Sequence, residues 1–202
     1  MHQKPLSSDD APIGVMALQG DYHEHQLMLT RLGVASRQIR KASQLEGLRA
    51  LILPGGESST MLKFLLEEAL FEPVREAARQ GCAMYGTCAG AILLATGVSS
   101  PSQGSLSLMD IDVQRNGYGR QIDSHIAEGA CPELGPEPVP MVFIRAPVVH
   151  RVGSDVHVMM RHRDAPVLLR QGKYLVSTFH PEMADDPRIH AYFLERVAGI
   201  GP

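Results

Sequence analysis

The segment Gly86-Thr87-Cys88-Ala89-Gly90 sets a cysteine between glycines, with the apolar run Ala91-Ile92-Leu93-Leu94 behind it. G-x-C-x-G is the thiol counterpart of the G-x-S-x-G nucleophile elbow, where a strand turns abruptly into a helix and holds its central residue in a strained conformation. Glycines flank such a residue because a Cβ at either side would clash. The thiol then sits at a helix N-terminus, whose partial positive charge favours thiolate over thiol. The backbone N–H of Ala89 points to where an oxyanion would form. A structural cysteine in a tight turn would give the same pattern, so the elbow must be read together with its possible partners.

A thiol nucleophile needs an imidazole to take its proton and a third group to orient that imidazole. Of the nine histidines, His23 and His25 fall on a predicted helix, His157 and His162 near strand edges, and His190 on the last predicted helix. Each of these reads as a packing or surface residue. His180 differs, because it follows the apolar strand Tyr174–Phe179 and is succeeded by Pro181 and Glu182. Proline is expected to keep this segment extended, so that His180 and Glu182 point to the same side. Glu182 would then hold one ring nitrogen and leave the other for Cys88. A third stretch, Pro54-Gly55-Gly56-Glu57-Ser58, runs from a strand through two glycines into a helix start. An N–H at Gly56 beside that of Ala89 would make a two-donor oxyanion hole. Phosphate binding is the other use of such glycines, but no G-x-x-x-x-G-K-[ST] pattern is present.

The elements around these stretches alternate. Ile13–Leu18 reads as a strand and Asp21–Gly33 as a helix with Tyr22, His25, Met28, Leu29 and Leu32 on one stripe. Val34–Arg40 and Ala50–Leu53 read as further strands. Ser58 or Ser59 is expected to cap a helix to about Glu68, and Pro73 to open another that stops at Gly81. Cys82–Tyr85 is a strand, and a helix starts at Ala89. Residues 109–126 and 139–179 read as short strands with turns at Asn116-Gly117, Gly153-Ser154 and Gln171-Gly172, and Pro187–Val197 as a closing helix. The fold class is α/β, a three-layer sandwich with a central, mostly parallel sheet and antiparallel additions. Residues 1–12 are a polar tail expected to be loosely ordered, and residues 13–202 a single domain.

With 202 residues the chain suits one well-cored domain. The net charge of −3 offers no case for nucleic acid or an anionic membrane. No apolar segment approaches a membrane span, and the N-terminal residues lack the apolar core of a secretory signal. Cys82, Cys88 and Cys131 are three cysteines without a CxxC pair. That argues against a disulfide framework or zinc knuckle and for a reducing, cytoplasmic setting. His23-x-His25 alone is a weak zinc signal, so no metal and no cofactor are expected.

PGGES, GTCAG and FHPE, in this order and at these separations, resemble the class I glutamine amidotransferases. Leu18-Gln19-Gly20, Arg115-Asn116-Gly117-Tyr118-Gly119-Arg120-Gln121 and Phe143-Ile144-Arg145-Ala146-Pro147 narrow the resemblance to the glutaminase subunits of pyridoxal 5′-phosphate synthase. The resemblance runs from Ile13 to about Val197. It implies hydrolysis of L-glutamine to glutamate and ammonia through a Cys88–His180–Glu182 triad and a glutamyl thioester. It implies that Gly56, Glu57, Ser58, Arg115, Ile144 and Arg145 bind glutamine, that Gly56 and Ala89 form the oxyanion hole, and that Gln19 lies near a partner surface. The implied partner is a (β/α)8-barrel synthase subunit in a large hetero-oligomer, contact with which completes the oxyanion hole. PfpI-type α/β proteins also carry an elbow cysteine but lack the PGGES and HPE elements, and an inert binding subunit would need none of the three triad residues. The chain departs from the family's usual pattern at Met183-Ala184-Asp185-Asp186 after FHPE. Glu128–Val139, with three prolines, reads as a variable surface loop.

Overall fold

A computed structural model describes residues 12–115 and 124–201. The expected tail up to residue 11 and the Asn116-Gly117 turn, together with the rest of the 116–121 motif, lie outside the described residues. Strands β1 (Ile13–Met16), β2 (Ser36–Ile39), β3 (Ala50–Leu53) and β4 (Ala83–Thr87) alternate with helices α1 (Tyr22–Arg31), α2 (Ser58–Glu67) and α3 (Phe71–Arg79). Helix α4 (Ala89–Leu94) follows β4 at once and passes directly into β5 (Ala95–Ser99). Then come β6 (Met109–Gln114), β7 (His125–Gly129), β8 (Val139–Phe143), β9 (Val148–Val152), β10 (His157–His162), β11 (Ala165–Gln171), β12 (Tyr174–Ser177) and α5 (Arg188–Tyr192).

Among the described residues, seven strands form the main sheet in the order β10-β11-β12-β4-β3-β1-β2. Strands β12, β4, β3, β1 and β2 run parallel, and β10 and β11 add on antiparallel. Side chains alternate between faces along each strand, and that period divides the core. Leu51, Leu53 and Met84 face one cluster with Met61 and Leu65 of α2, Val74 of α3 and Leu93 of α4. Ala50, Ile52, Ala83 and Tyr85 face a second with Leu29 of α1, Ile189 of α5 and Phe193. The sheet thus lies between two helical layers. The smaller β5-β6-β9 and β7-β8 sheets supply Ile111 and Val149 to the first cluster and Met141 and Phe143 to the second.

Several expectations are corrected. Helix α2 is capped by Glu57, whose carboxylate accepts the Ser59 N–H, so the cap lies one residue before Ser58 and two before Ser59. Helix α3 begins at Phe71 with Pro73 in its first turn, where the missing N–H is one the helix would leave unpaired anyway. Strand β4 runs to Thr87, right up to Cys88. The closing helix changes to π geometry over Phe193–Val197. The supposed loop Glu128–Val139 is part strand: Glu128 and Gly129 end β7, Val139 begins β8, and Cys131 is buried. Arg188 fixes its tip by donating to the carbonyls of Glu137 and Pro138 at 2.8 and 2.7 Å.

Candidate active site

The pieces singled out in the sequence stand at the C-terminal ends of four adjacent parallel strands. Strand β12 leads to His180, β4 to Cys88, β3 to Gly55-Gly56, and β1 to Gln19-Gly20. Crevices outside the carboxyl ends of parallel strands are where open α/β sheets bind ligands.

Cys88 has φ 47° and ψ −100°, the positive-φ geometry expected of an elbow. The glycines on either side leave no room for a side chain. A Cβ on Gly86 would lie 2.5 Å from the Gly90 backbone, and one on Gly90 would lie 2.0 Å from the Leu53 carbonyl oxygen. The Cys88 N–H donates to the Ser177 carbonyl at 2.9 Å, which ties the elbow to the strand carrying His180. Ala89, the residue after the thiol, is buried at the first position of α4.

Nδ1 of His180 lies 2.8 Å from Oε1 of Glu182, and both side chains are buried. The backbone between them is not extended as expected. Pro181–Met183 is a 3₁₀ turn closed by the Met183 N–H on the His180 carbonyl at 3.2 Å. Proline's fixed φ suits the first position of a helical turn as well as it suits a strand, and the turn still brings the carboxylate back to the ring. Burial alone would lower the His180 pKa, but its hydrogen bonds to Cys88 and Glu182 and the charges of both outweigh it and push the group up to about 10. Burial pushes the Glu182 carboxyl up, with the bond and charge of His180 pulling against it.

Cys88 and His180 line a cleft of about 240 Å³ with Gly56, Glu57, Ser58, Arg115, Ile144 and Arg145. Six sequence-predicted binding residues and two of the triad therefore meet in one cavity, and Glu182 stands behind His180. The Ile144 carbonyl is 3.9 Å from the thiol sulfur. Arg115 donates to Oε1 of Glu57 at 2.9 Å. Glu57 is held below the usual carboxylate range by the Ser59 hydroxyl first, against the effect of burial, and then by the Ser59 N–H, Arg115 and Arg145. Gln19 does not face the cleft; it sets the loop that does. Its Oε1 accepts the Glu57 N–H at 3.1 Å, and its amide packs where a Cβ on Gly56 (φ 143°) would sit, 2.6 Å away. The cleft thus has two guanidinium groups, two carboxylates, a thiol and an imidazole, which suits a small zwitterion with a reactive carbonyl.

Sequence reasoning missed four groups. Asp21 also lines the cleft, with Oδ2 3.5 Å from Nδ1 of His180. Asp21, His180 and Glu182 have ligand-type atoms within 4.8 Å of one another, a clustering that pairing one imidazole with two carboxylates accounts for. Thr87, His25 and His190 are buried behind Glu182. His25 could have been found, since it is a polar residue on the apolar stripe of α1. His190 carried no comparable signal.

The family model that matches the chain, over residues 15–199, is the SNO glutamine amidotransferase family. A pyridoxal 5′-phosphate synthase subunit PdxT of Thermus thermophilus is 50% identical over 190 residues, covering 93% of the chain and 98% of the relative. The PdxT of Pelotomaculum thermopropionicum is 48% identical over 189 residues, with 94% and 96% covered. Among solved structures, one described as a glutamine amidotransferase superposes with a TM-score of 0.87 at 48% identity, covering 93% of this chain and 98% of that one. PurLQS of Thermotoga maritima, at 15% identity and a TM-score of 0.64 over 91% and 97% of the two chains, shares the fold. With its match over nearly the whole length and relatives at this identity, the chain belongs to the SNO glutamine amidotransferase family.

Proposed function

We propose that the chain is the glutaminase subunit of a pyridoxal 5′-phosphate synthase and that it hydrolyses L-glutamine through Cys88, His180 and Glu182. The observation that carries this reading is the strained Cys88 beside the His180–Glu182 pair in a cleft that also holds Arg115, Arg145 and Glu57.

The steps follow from which nitrogen is free. With Nδ1 engaged by Glu182, Nε2 of His180 faces Cys88, and with its pKa pushed up to about 10 the imidazole already holds the thiol's proton as Sγ attacks the carboxamide carbon of glutamine. The tetrahedral oxyanion is met by the backbone N–H groups of Gly56 and Ala89. His180 returns the proton to the departing nitrogen, the C–N bond breaks, and ammonia leaves a glutamyl thioester on Cys88. Water then loses a proton to His180 as it attacks the thioester, the C–S bond breaks, and glutamate and the thiol are restored. Arg115 and the Ile144-Arg145 segment hold the α-carboxylate and α-amino ends, a guanidinium fork being matched to both carboxylate oxygens. Ammonia passes to a (β/α)8-barrel synthase subunit in a large hetero-oligomer. Partner contact is relayed through Gln19, whose side chain already governs Gly56 and Glu57.

Glutamate release from glutamine, measured with and without the synthase subunit and with Cys88→Ala as control, tests the reading. Activity that rises with the partner and vanishes in the variant is expected. A folded protein with no activity in either condition would reject it.

A further inference from the structure

Behind the pair that faces the cleft runs a line of buried polar groups that the steps above do not use. Oε1 of Glu182 receives the Thr87 hydroxyl at 3.3 Å in addition to the His180 ring, while Oε2 has no hydrogen-bond partner among the described residues. Nε2 of His25 lies 3.1 Å from the Thr87 hydroxyl oxygen and 3.6 Å from Oε1 itself. Nδ1 of His25 lies 2.9 Å from Nε2 of His190. His25, Thr87 and His190 are all buried, and Nδ1 of His190 ends the line without a partner among the described residues.

The proton positions along this line follow from its end at the carboxylate. The Thr87 hydroxyl must give its one proton to Glu182, since turning it towards His25 would aim a lone pair at the carboxylate 3.3 Å away. Thr87 therefore accepts from Nε2–H of His25. A neutral His25 then has a bare Nδ1, which accepts from Nε2–H of His190. That leaves an unpaired acceptor at the far end, Nδ1 of His190, and an unpaired buried acceptor is better tolerated than an unpaired N–H. Every donor in the line points towards Glu182. Burial holds both imidazoles neutral: it lowers His25 well below the usual histidine range, with the neighbouring His190 and His180 adding to the effect, and takes His190 to about 3.

We infer that His190, His25 and Thr87 form a one-directional hydrogen-bond chain that keeps the Glu182 carboxylate ionised and aimed at His180, making His25 and Thr87 positioning residues for the reaction. The inference rests on the glutaminase reading given above. A carboxylate buried with one oxygen unpartnered needs donors on the other, and the dipoles of a fixed chain supply them without charge of their own. The ionised carboxylate in turn sustains the imidazolium form of His180, which must donate a proton to ammonia.

The test reads the His180 imidazole directly by NMR titration, and the alkaline limb of kcat in the complex with the synthase subunit. The groups facing the triad are Asp21 from the segment before α1, His25 from α1, Tyr85, Thr87 and Cys88 from β4 and the elbow, Ser177 from β12, and His190 from α5. Of these only Asp21 is appreciably exposed. Thr87→Val, which keeps the shape and deletes the hydroxyl, and His25→Leu are expected to lower the His180 titration by about one unit and kcat by about tenfold. His25→Gln, which can put an amide N–H where Nε2 stood, is expected to recover most of both. KM for glutamine should stay within about twofold in all three, because none of these residues lines the cleft. A His180 titration unchanged in Thr87→Val, with any loss of kcat following a lowered melting temperature, would overturn the inference and leave a purely structural role. Absence of glutaminase activity in the unsubstituted complex would reject the functional reading; the NMR titration needs no turnover and would still decide the chain by the same criterion.

Discussion

Substituting Gly55 by alanine adds a single methyl group where the loop after β3 meets the imidazole. Gly55 is buried and its φ lies outside the left-handed region, so alanine can keep the backbone and the effect is steric. The new Cβ would stand 2.3 Å from Cε1 and 2.8 Å from Nδ1 of His180, and 3.0 Å from Oδ2 of Asp21. Ordinary contact begins near 3.4 Å, so the ring or the loop must yield by about 1.1 Å. If the ring moves, the 2.8 Å bond to Glu182 lengthens and Nε2 leaves the thiol. If the loop moves, Gly56 leaves its place in the proposed oxyanion hole. A displacement of about 1 Å costs on the order of a hundredfold in rate, whichever side gives way, and overpacking at such a point costs about 1–3 kcal/mol of stability. Steady-state glutaminase kinetics in the complex, with thermal unfolding of the same sample, separates the two. A Gly55→Ala protein with kcat within about threefold of the parent would refute the claim that this loop is wedged against a catalytic imidazole.

Arg145→Gln should raise KM for glutamine by about ten- to a hundredfold with a smaller change in kcat, because a lost charge-assisted bond to a carboxylate is worth about 1.5–3 kcal/mol; an unchanged KM in steady-state kinetics would remove Arg145 from the binding set. Brief iodoacetamide treatment of the native protein near neutral pH should label Cys88 alone, as mapped by peptide mass. Burial pushes the Cys82 thiol up to about 12 and raises that of Cys131, and equal labelling of all three would contradict this picture. The stability contributed by His180 should be complete below its unfolded value near 6.5 and lost as pH rises through about 10. In Glu182→Gln that alkaline loss should shift to lower pH by about one to three units, followed by denaturant unfolding at a series of pH values.

Much of this site could be read from local sequence because each piece is built from neighbours in the chain. The elbow and the glycine loop each lie within five residues, and His180 and Glu182 are two apart, so the spacing of residue types carried the geometry. The parallel strands were equally plain, since β3 and β4 are apolar and buried on both faces. The misses arose where longer-range contacts decide. Glu57 took the cap from Ser58 and Ser59 because its carboxylate is also fixed by Arg115, 58 residues away. The 3₁₀ turn after His180 forms because the Glu182 carboxylate folds back to the ring, and a proline permits either course. Glu128–Val139 looked like a free loop, yet Arg188 from α5 holds its carbonyls. The His25–His190 contact joins residues 165 apart in sequence, across α1 and α5, and no local pattern announces it.

The most direct test of the central claim is to mix the complex with glutamine, quench in acid within the first turnovers, and weigh the intact chain. A mass increase of one glutamyl group is expected, released by hydroxylamine, mapping to the Gly86–Gly90 peptide at Cys88 and absent from Cys88→Ser. Glutamate formed at the parental rate with no adduct on Cys88, or with turnover retained in Cys88→Ser, would contradict it.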